Sequence, residues 1–179
     1  LTQPSVVMFY YLKLLCFPFN LNIDPDIVWV KSIGDLAFWL GVVAIVGFLF
    51  FTSRFFKSRL FLFFALWYLI VLTPSSSIVT LLDLAAEHRT YLASFGIFVL
   101  MATGLHALAG LIFKSPAKQH SFIICVLIFA LTANGLLTLR RNTVWANELD
   151  LWQDTLKKSP GKVRPLVNLG RAYTIIGDD

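Results

Sequence analysis

Tyr91–Phe113, YLASFGIFVLMATGLHALAGLIF, decides the class of fold. It holds no Asp, Glu, Lys or Arg. A helix of this length runs roughly 35 Å, enough to cross a hydrocarbon core of about 30 Å. The rest of the chain has the same character. It has 179 residues, 58% hydrophobic and 14% charged, with seventeen phenylalanines, and its mean hydropathy is +0.76. A soluble domain is about half apolar and a quarter charged. The composition excludes a soluble globular domain and predicts an all-α integral membrane protein. The net charge of +5 is read by where the charges fall, as basic loops beside a membrane, and implies no nucleic-acid partner. Cys16 and Cys125 lie far apart in apolar surroundings and read as small hydrophobes, with no disulfide or metal framework. The chain opens on Leu1 with no signal-peptide pattern, which reads as an internal start.

Outward from this stretch, Leu36–Phe51, Leu60–Leu72 and Phe122–Leu139 are further apolar runs, the second rather short and closed by Pro74. The expected architecture is a polytopic helical bundle of about four spans. Ser5–Leu15 is too short to cross and contains Lys13, so it is expected as an interfacial or re-entrant helix, or as the tail of an earlier span. Asn20–Asp26 is turn-rich, and Ile27–Lys31 is a short amphipathic piece for which Asp26 suits the N-cap position. Asp24-Pro25-Asp26 has the D-x-D form that soluble nucleotide-sugar transferases use for a metal. The α/β context is missing, so the turn reading is preferred and no metal site is expected.

Between the second and third apolar runs lies a polar insert, Pro74–Tyr91, PSSSIVTLLDLAAEHRTY. In a helix, Ser76, Thr80, Asp83 and Glu87 form one stripe, and Ile78, Leu81, Leu82, Ala85 and Ala86 take the other face. His88 and Arg89 follow at the border of the third run. Within the spans, His106, Thr103 and Asn134 are polar groups at membrane depth. Thr103, Ala107 and Gly110 suggest close helix packing, and Asn134 interhelical bonding.

Charge counting orients the bundle. The Thr52–Arg59 and Lys114–Ser121 loops carry Arg54, Lys57, Arg59, Lys114 and Lys118 and no acid. The other side carries Asp24, Asp26, Asp35, Asp83 and Glu87 against Lys31 and Arg89. The basic loops are therefore expected in the cytoplasm, with the insert, the Asn20–Asp35 loop and everything after Leu139 outside. Arg140 and Arg141 run against this rule.

The character changes at 142–179, which follows the 1–141 membrane region. In Val163–Asp179, the spacing of Leu166, Leu169, Gly170, Tyr173 and Gly177 matches the first helix of a tetratricopeptide repeat (TPR), and Pro160 and Trp152 stand where an earlier unit would place them. Glu148 occupies a position where small residues are normal, so the preceding unit reads as a degenerate cap. A repeat region cut this short is expected to need support from the membrane domain.

Four stretches carry a resemblance: FPFNLNIDPDI (Phe17–Ile27), TPSSSIVTLLDLAAEHRTYL (Thr73–Leu92), WANELDLWQDTLKKSP (Trp145–Pro160) and NLGRAY (Asn168–Tyr173). In this order they resemble the transmembrane-and-TPR-containing family of O-mannosyltransferase-like proteins and their bacterial relatives. That family is similar to the polytopic glycosyltransferases called GT-C. The resemblance implies the C-terminal part of such a membrane domain and the start of its TPR region. It implies transfer of a sugar, mannose above all, from a polyprenyl-phosphate carrier to protein Ser or Thr on the outer face, with no other cofactor. Acceptor or partner proteins would be recruited by the TPRs. The location implied is a bacterial inner membrane with a periplasmic TPR, or the endoplasmic reticulum with a lumenal one. The GT-C catalytic carboxylate lies in a first outer loop that this sequence lacks, so no catalytic base is named. Arg89 suits the lipid phosphate, with His88 assisting; Tyr91 suits sugar or phosphate, and Asp83 and Glu87 suit Arg89 or sugar hydroxyls. Asp24 and Asp26 are candidates for the same outer cavity. The competing reading makes the insert an interfacial helix with Arg89 reaching head groups, and the protein a non-catalytic membrane anchor for a TPR scaffold. A transporter fragment fits less well, because no pair of Gly/Pro-interrupted helices is visible.

Overall fold

The computed structural model describes residues 1–27, 30–55, 59–74 and 85–177, and all regular structure among them is helical. Ser76, Thr80 and Asp83 of the polar insert lie outside the described residues, as does Lys57. Among the described residues, three helices are long and apolar enough to cross a membrane: α3 (Leu36–Phe55), α5 (Thr90–Ile112) and α6 (Pro116–Val144). The second apolar run forms α4 (Arg59–Leu72), whose 14 residues make a helix of only about 21 Å. The short N-terminal pieces are α1 (Gln3–Ser5) and α2 (Leu12–Cys16), joined by a π-helical stretch, Val6–Tyr11.

α6 buries no residue against the rest of the chain, and leaves Phe129 and Leu131 more than 70% exposed. A helix apolar all round suits lipid as its solvent, because its backbone bonds are internal and its side chains gain nothing from water. Pro116 opens it, where a missing N–H costs nothing.

The packing centre is the N-terminal segment expected as an interfacial or re-entrant helix or as the tail of an earlier span. Val6, Val7, Met8 and Tyr11 are buried against Tyr68 and Leu72 of α4, and against Ala85, Ala93 and Ile97. The π-helical stretch departs from the regular i→i−4 ladder, and the Val7 carbonyl accepts from the Tyr68 hydroxyl at 2.5 Å. The Tyr11 hydroxyl accepts from the Ala86 N–H at 3.2 Å. Apolar shape and these buried hydroxyl bonds place the segment inside the bundle, although it is too short to cross.

Close helix approach occurs at two other glycines, not along Thr103, Ala107 and Gly110. A Cβ on Gly41 of α3 would lie 2.5 Å from the Ser5 nitrogen, and one on Gly96 of α5 would lie 2.5 Å from the Phe64 carbonyl oxygen of α4. Ala107 and Gly110 are exposed. The Thr103 hydroxyl bonds back to Val99 O at 2.6 Å, and the Asn134 amide to Ala130 O of its own helix at 2.8 Å. His106 is exposed.

Beyond α6 the chain makes a helical hairpin, α7 (Glu148–Lys158) and α8 (Val163–Ile176). Asn147 caps α7 by accepting from the Asp150 N–H at 2.7 Å. Glu148 and Asp150 open the helix and Lys157 and Lys158 close it, each sign matching the helix dipole. Gly177 ends α8 in the left-handed conformation, φ 80°, which glycine adopts without steric cost. Leu151, Thr155, Pro165 and Ala172 are buried in the hairpin, and the Gln153 amide donates to the Tyr173 hydroxyl at 3.0 Å.

Candidate functional site at the polar end of the bundle

Three separate stretches meet at one end of the bundle: the Phe17–Asp26 loop, the turn before α5, and the junction of α6 with α7. The loop bends at Asn20, whose φ of 58° is left-handed, a region Asn tolerates better than most residues. The Asn22 side-chain oxygen accepts from the Asp24 N–H at 3.3 Å, a local turn of the kind Asn favours. No helix begins at Asp26: Ile27, Val30 and Lys31 lie outside regular structure. The Val30 N–H is instead committed to the Thr2 hydroxyl at 2.9 Å, which draws this stretch to the chain start.

Glu87, His88 and Arg89 form one 3₁₀ turn leading directly into α5. Half-buried Glu87 accepts a hydrogen bond from the Asn22 N–H, tying the turn to the loop. His88 is exposed and Arg89 half-buried. Tyr91 is 85% exposed at the head of a spanning helix, a position that suits the aromatic belt of a membrane border. Glu87 is thus a nominated residue bonded to the loop.

The loop also grips the hairpin. Ser159, fully buried, accepts from the Asn22 amide at 2.7 Å and donates to Asp24 O at 2.9 Å. Lys158 Nζ donates to Leu21 O at 2.8 Å. Asp24 is 5% exposed and ion-paired with Lys162. Its carboxylate is therefore a fastening between loop and hairpin. Asp26 is exposed beside Gly161, its carboxylate 3.5 Å from where a Cβ would stand, and it lines a small cleft of about 170 Å³ with Tyr10 and Lys13.

The residues that sequence reading did not nominate are Arg140, Arg141, Asp154 and Lys158. Asp154 accepts from Arg141 Nη1 at 2.8 Å and from Lys158 at 2.7 Å, so one carboxylate joins α6 to α7. The Arg141 guanidinium also lies 5.8 Å from the Trp145 ring centroid. Beside this triad is a cleft of about 320 Å³, walled by Phe19, Leu137, Arg140, Arg141 and Lys158. None of the nominated residues that are described lines it. The available signal was the basic pair at the end of the fourth run, on the side where the positive-inside rule expects none.

Burial works against the Asp154 carboxylate, but the hydrogen bonds and charges of Lys158 and Arg141 outweigh it and hold the group below the ordinary carboxylate range. The folded state therefore binds this proton less readily than the unfolded one. Its contribution is fully present above the unfolded value, about 3.9, and is lost as pH falls through the lower folded value. Docking of the hairpin, followed by Trp145 and Trp152 fluorescence, should hold from neutral pH to about 5 and weaken below about 4. Asp154→Asn should remove that acid limb; an unchanged profile would exclude Asp154 as its source.

Comparison with protein-family models, with characterised proteins and with solved structures found no match to this chain.

Proposed function

We propose that this chain is the C-terminal portion of the membrane region of a GT-C-type glycosyltransferase, with the first helices of a TPR region attached. It would act on a polyprenyl-phosphate-linked sugar, mannose in the first place, and pass it to protein Ser or Thr on the outer face. In this reading α3 to α6 supply four crossings, α4 included, and the polar end of the bundle faces the periplasm or the lumen. α7 and α8 begin the repeats that recruit acceptor or partner proteins. The catalytic base would belong to a loop outside this sequence.

The observation that carries the reading is the meeting of two of its four motif stretches at one point. The Asn22 N–H from the first is bonded to Glu87 from the second, and Arg89 follows at the head of a membrane-length helix. A phosphate leaving group needs cations held where charge develops, and a border position lets its lipid tail stay in the bilayer. In the full-length protein, Arg89→Ala should lower transfer from a polyprenyl-phosphate donor about hundredfold without preventing folding. Full transfer by that variant would remove Arg89 from the phosphate role.

A second reading, an anchor for a TPR scaffold without catalysis, draws on the bonds from Asn22 and Asp24 to Ser159 and Lys162. They fasten the hairpin to the bundle as a scaffold would require. Absence of any transfer by the full-length protein, with partner binding by its repeats intact, would favour it.

A further inference from the structure

The cleft at the end of α6 belongs to none of the motifs above, and its chemistry is specific. Leu137, Arg140, Arg141 and Val144 stand at i, i+3, i+4 and i+7, so one stripe of α6 forms a wall that is apolar below and cationic above. The Phe19–Leu21 stretch forms the facing wall, and Lys158 with Asp154 closes the end. Three cations and one carboxylate line the space, and that carboxylate is already shared between Arg141 and Lys158. Glu87 lies within electrostatic reach of Arg141 and Lys158, but it accepts from the Asn22 N–H.

Arg141 is the second observation. Its side chain is only 13% exposed and its Nη1 serves Asp154. Its Nε and Nη2 are buried and, among the described residues, have no hydrogen-bond partner. A guanidinium has five donors in a fixed fork, and leaving buried ones unused is unfavourable. An oxyanion entering the adjacent cleft gives the guanidinium a reason to turn and use them, and a phosphate, with several oxygens, can meet Lys158 and exposed Arg140, and then Arg141 once it has turned.

The cleft's position selects the source of that phosphate. Arg140 and Arg141 directly follow the apolar run of α6, at head-group depth, and Leu137 lies one turn deeper. We infer that this cleft is a binding site for the phosphate of an anionic lipid, with the cations on the head group and Leu137 and Phe19 against the chain. The site also accounts for a basic pair on the side where charge counting disfavours one. It stands whether or not the chain transfers sugar, because it rests on residues outside the Arg89 turn.

The full chain in detergent, titrated by native mass spectrometry with dioctanoyl phosphatidic acid, dioctanoyl phosphatidylcholine and inorganic phosphate, tests this. Phosphatidic acid should bind at least about tenfold more tightly than either of the others, and Arg140→Gln should weaken it about tenfold. Arg140 is exposed and outside the Asp154 triad, so this variant should fold. Lys118→Gln, in the Lys114–Ser121 loop, should leave binding unchanged. Equal binding of phosphatidylcholine, an undiminished Arg140→Gln, or equal loss in Lys118→Gln would overturn the site. Inorganic phosphate binding as tightly as phosphatidic acid would overturn its assignment to a lipid. Loss of sugar transfer with phosphatidic acid binding intact would count against the glycosyltransferase reading alone.

Discussion

Replacing Asp154 by Ala should loosen the α7–α8 hairpin from the bundle and cost about 2 kcal/mol, between the worth of an exposed pair and the cost of breaking a buried one. The carboxylate is 23% exposed, which argues against a larger figure. It is nonetheless the single acceptor shared by Arg141 and Lys158, with side-chain exposures of 13% and 21%. Without it two cations face each other, and Arg141 loses the one hydrogen bond its guanidinium is seen to make. Lys158 would keep only its bond to Leu21 O. Asp154→Asn retains an acceptor without the charge and should cost less. Thermal unfolding of the purified chain in detergent measures both, and limited proteolysis between α6 and α7 reports where the loosening occurs. An unchanged melting curve for Asp154→Ala would mean that the hairpin is held elsewhere, with the Ser159 bonds the next to test.

The membrane class and its long helices were legible because lipid selects for composition over contiguous stretches, and Tyr91–Phe113 or Phe122–Leu139 can be read without knowing their neighbours. A helix within Val163–Asp179 was legible too, from the spacing of Leu166, Leu169, Gly170 and Tyr173, and α8 lies there. For Ser5–Leu15 the sequence left an interfacial helix, a re-entrant one and the tail of a span open, because length argues only about crossing, whereas Tyr68 and Tyr11 supply buried hydroxyl partners from distant positions. Gly96 looked no different from Gly110, since a close approach depends on which carbonyl lies opposite. At the candidate site, Glu87 and the Asn20–Asp26 loop were both singled out, but not that Asn22 joins them, because a backbone N–H leaves no mark in sequence. The Arg140–Arg141 pair was visible only as an exception to an orientation rule. Its meaning needed the partners Asp154 and Lys158, one turn apart on a different helix.

Replacing Gly96 by Val should be among the most damaging changes within the membrane region, costing at least about 3 kcal/mol, the upper part of the usual range for overpacking. The obstruction is backbone. A Cβ at Gly96 would lie 2.5 Å from the Phe64 carbonyl oxygen and 3.2 Å from the Trp67 ring. A rotamer change in Trp67 relieves the second contact but leaves the first, so α4 and α5 must move apart. That separation has consequences along the whole contact. Trp67 Nε1 donates to Leu92 O at 3.1 Å, and Phe64 meets Phe95 edge-on with centroids 5.7 Å apart. Both would stretch, as would the burial of Ala93 and Ile97 beside Tyr68. Gly110→Val, on the same helix with open space around it, tests whether β-branching in α5 is itself harmful. The expected result is a large fall in unfolding temperature for Gly96→Val and little for Gly110→Val. Equal effects would show that the loss comes from helix propensity, and that the α4–α5 contact tolerates an added side chain.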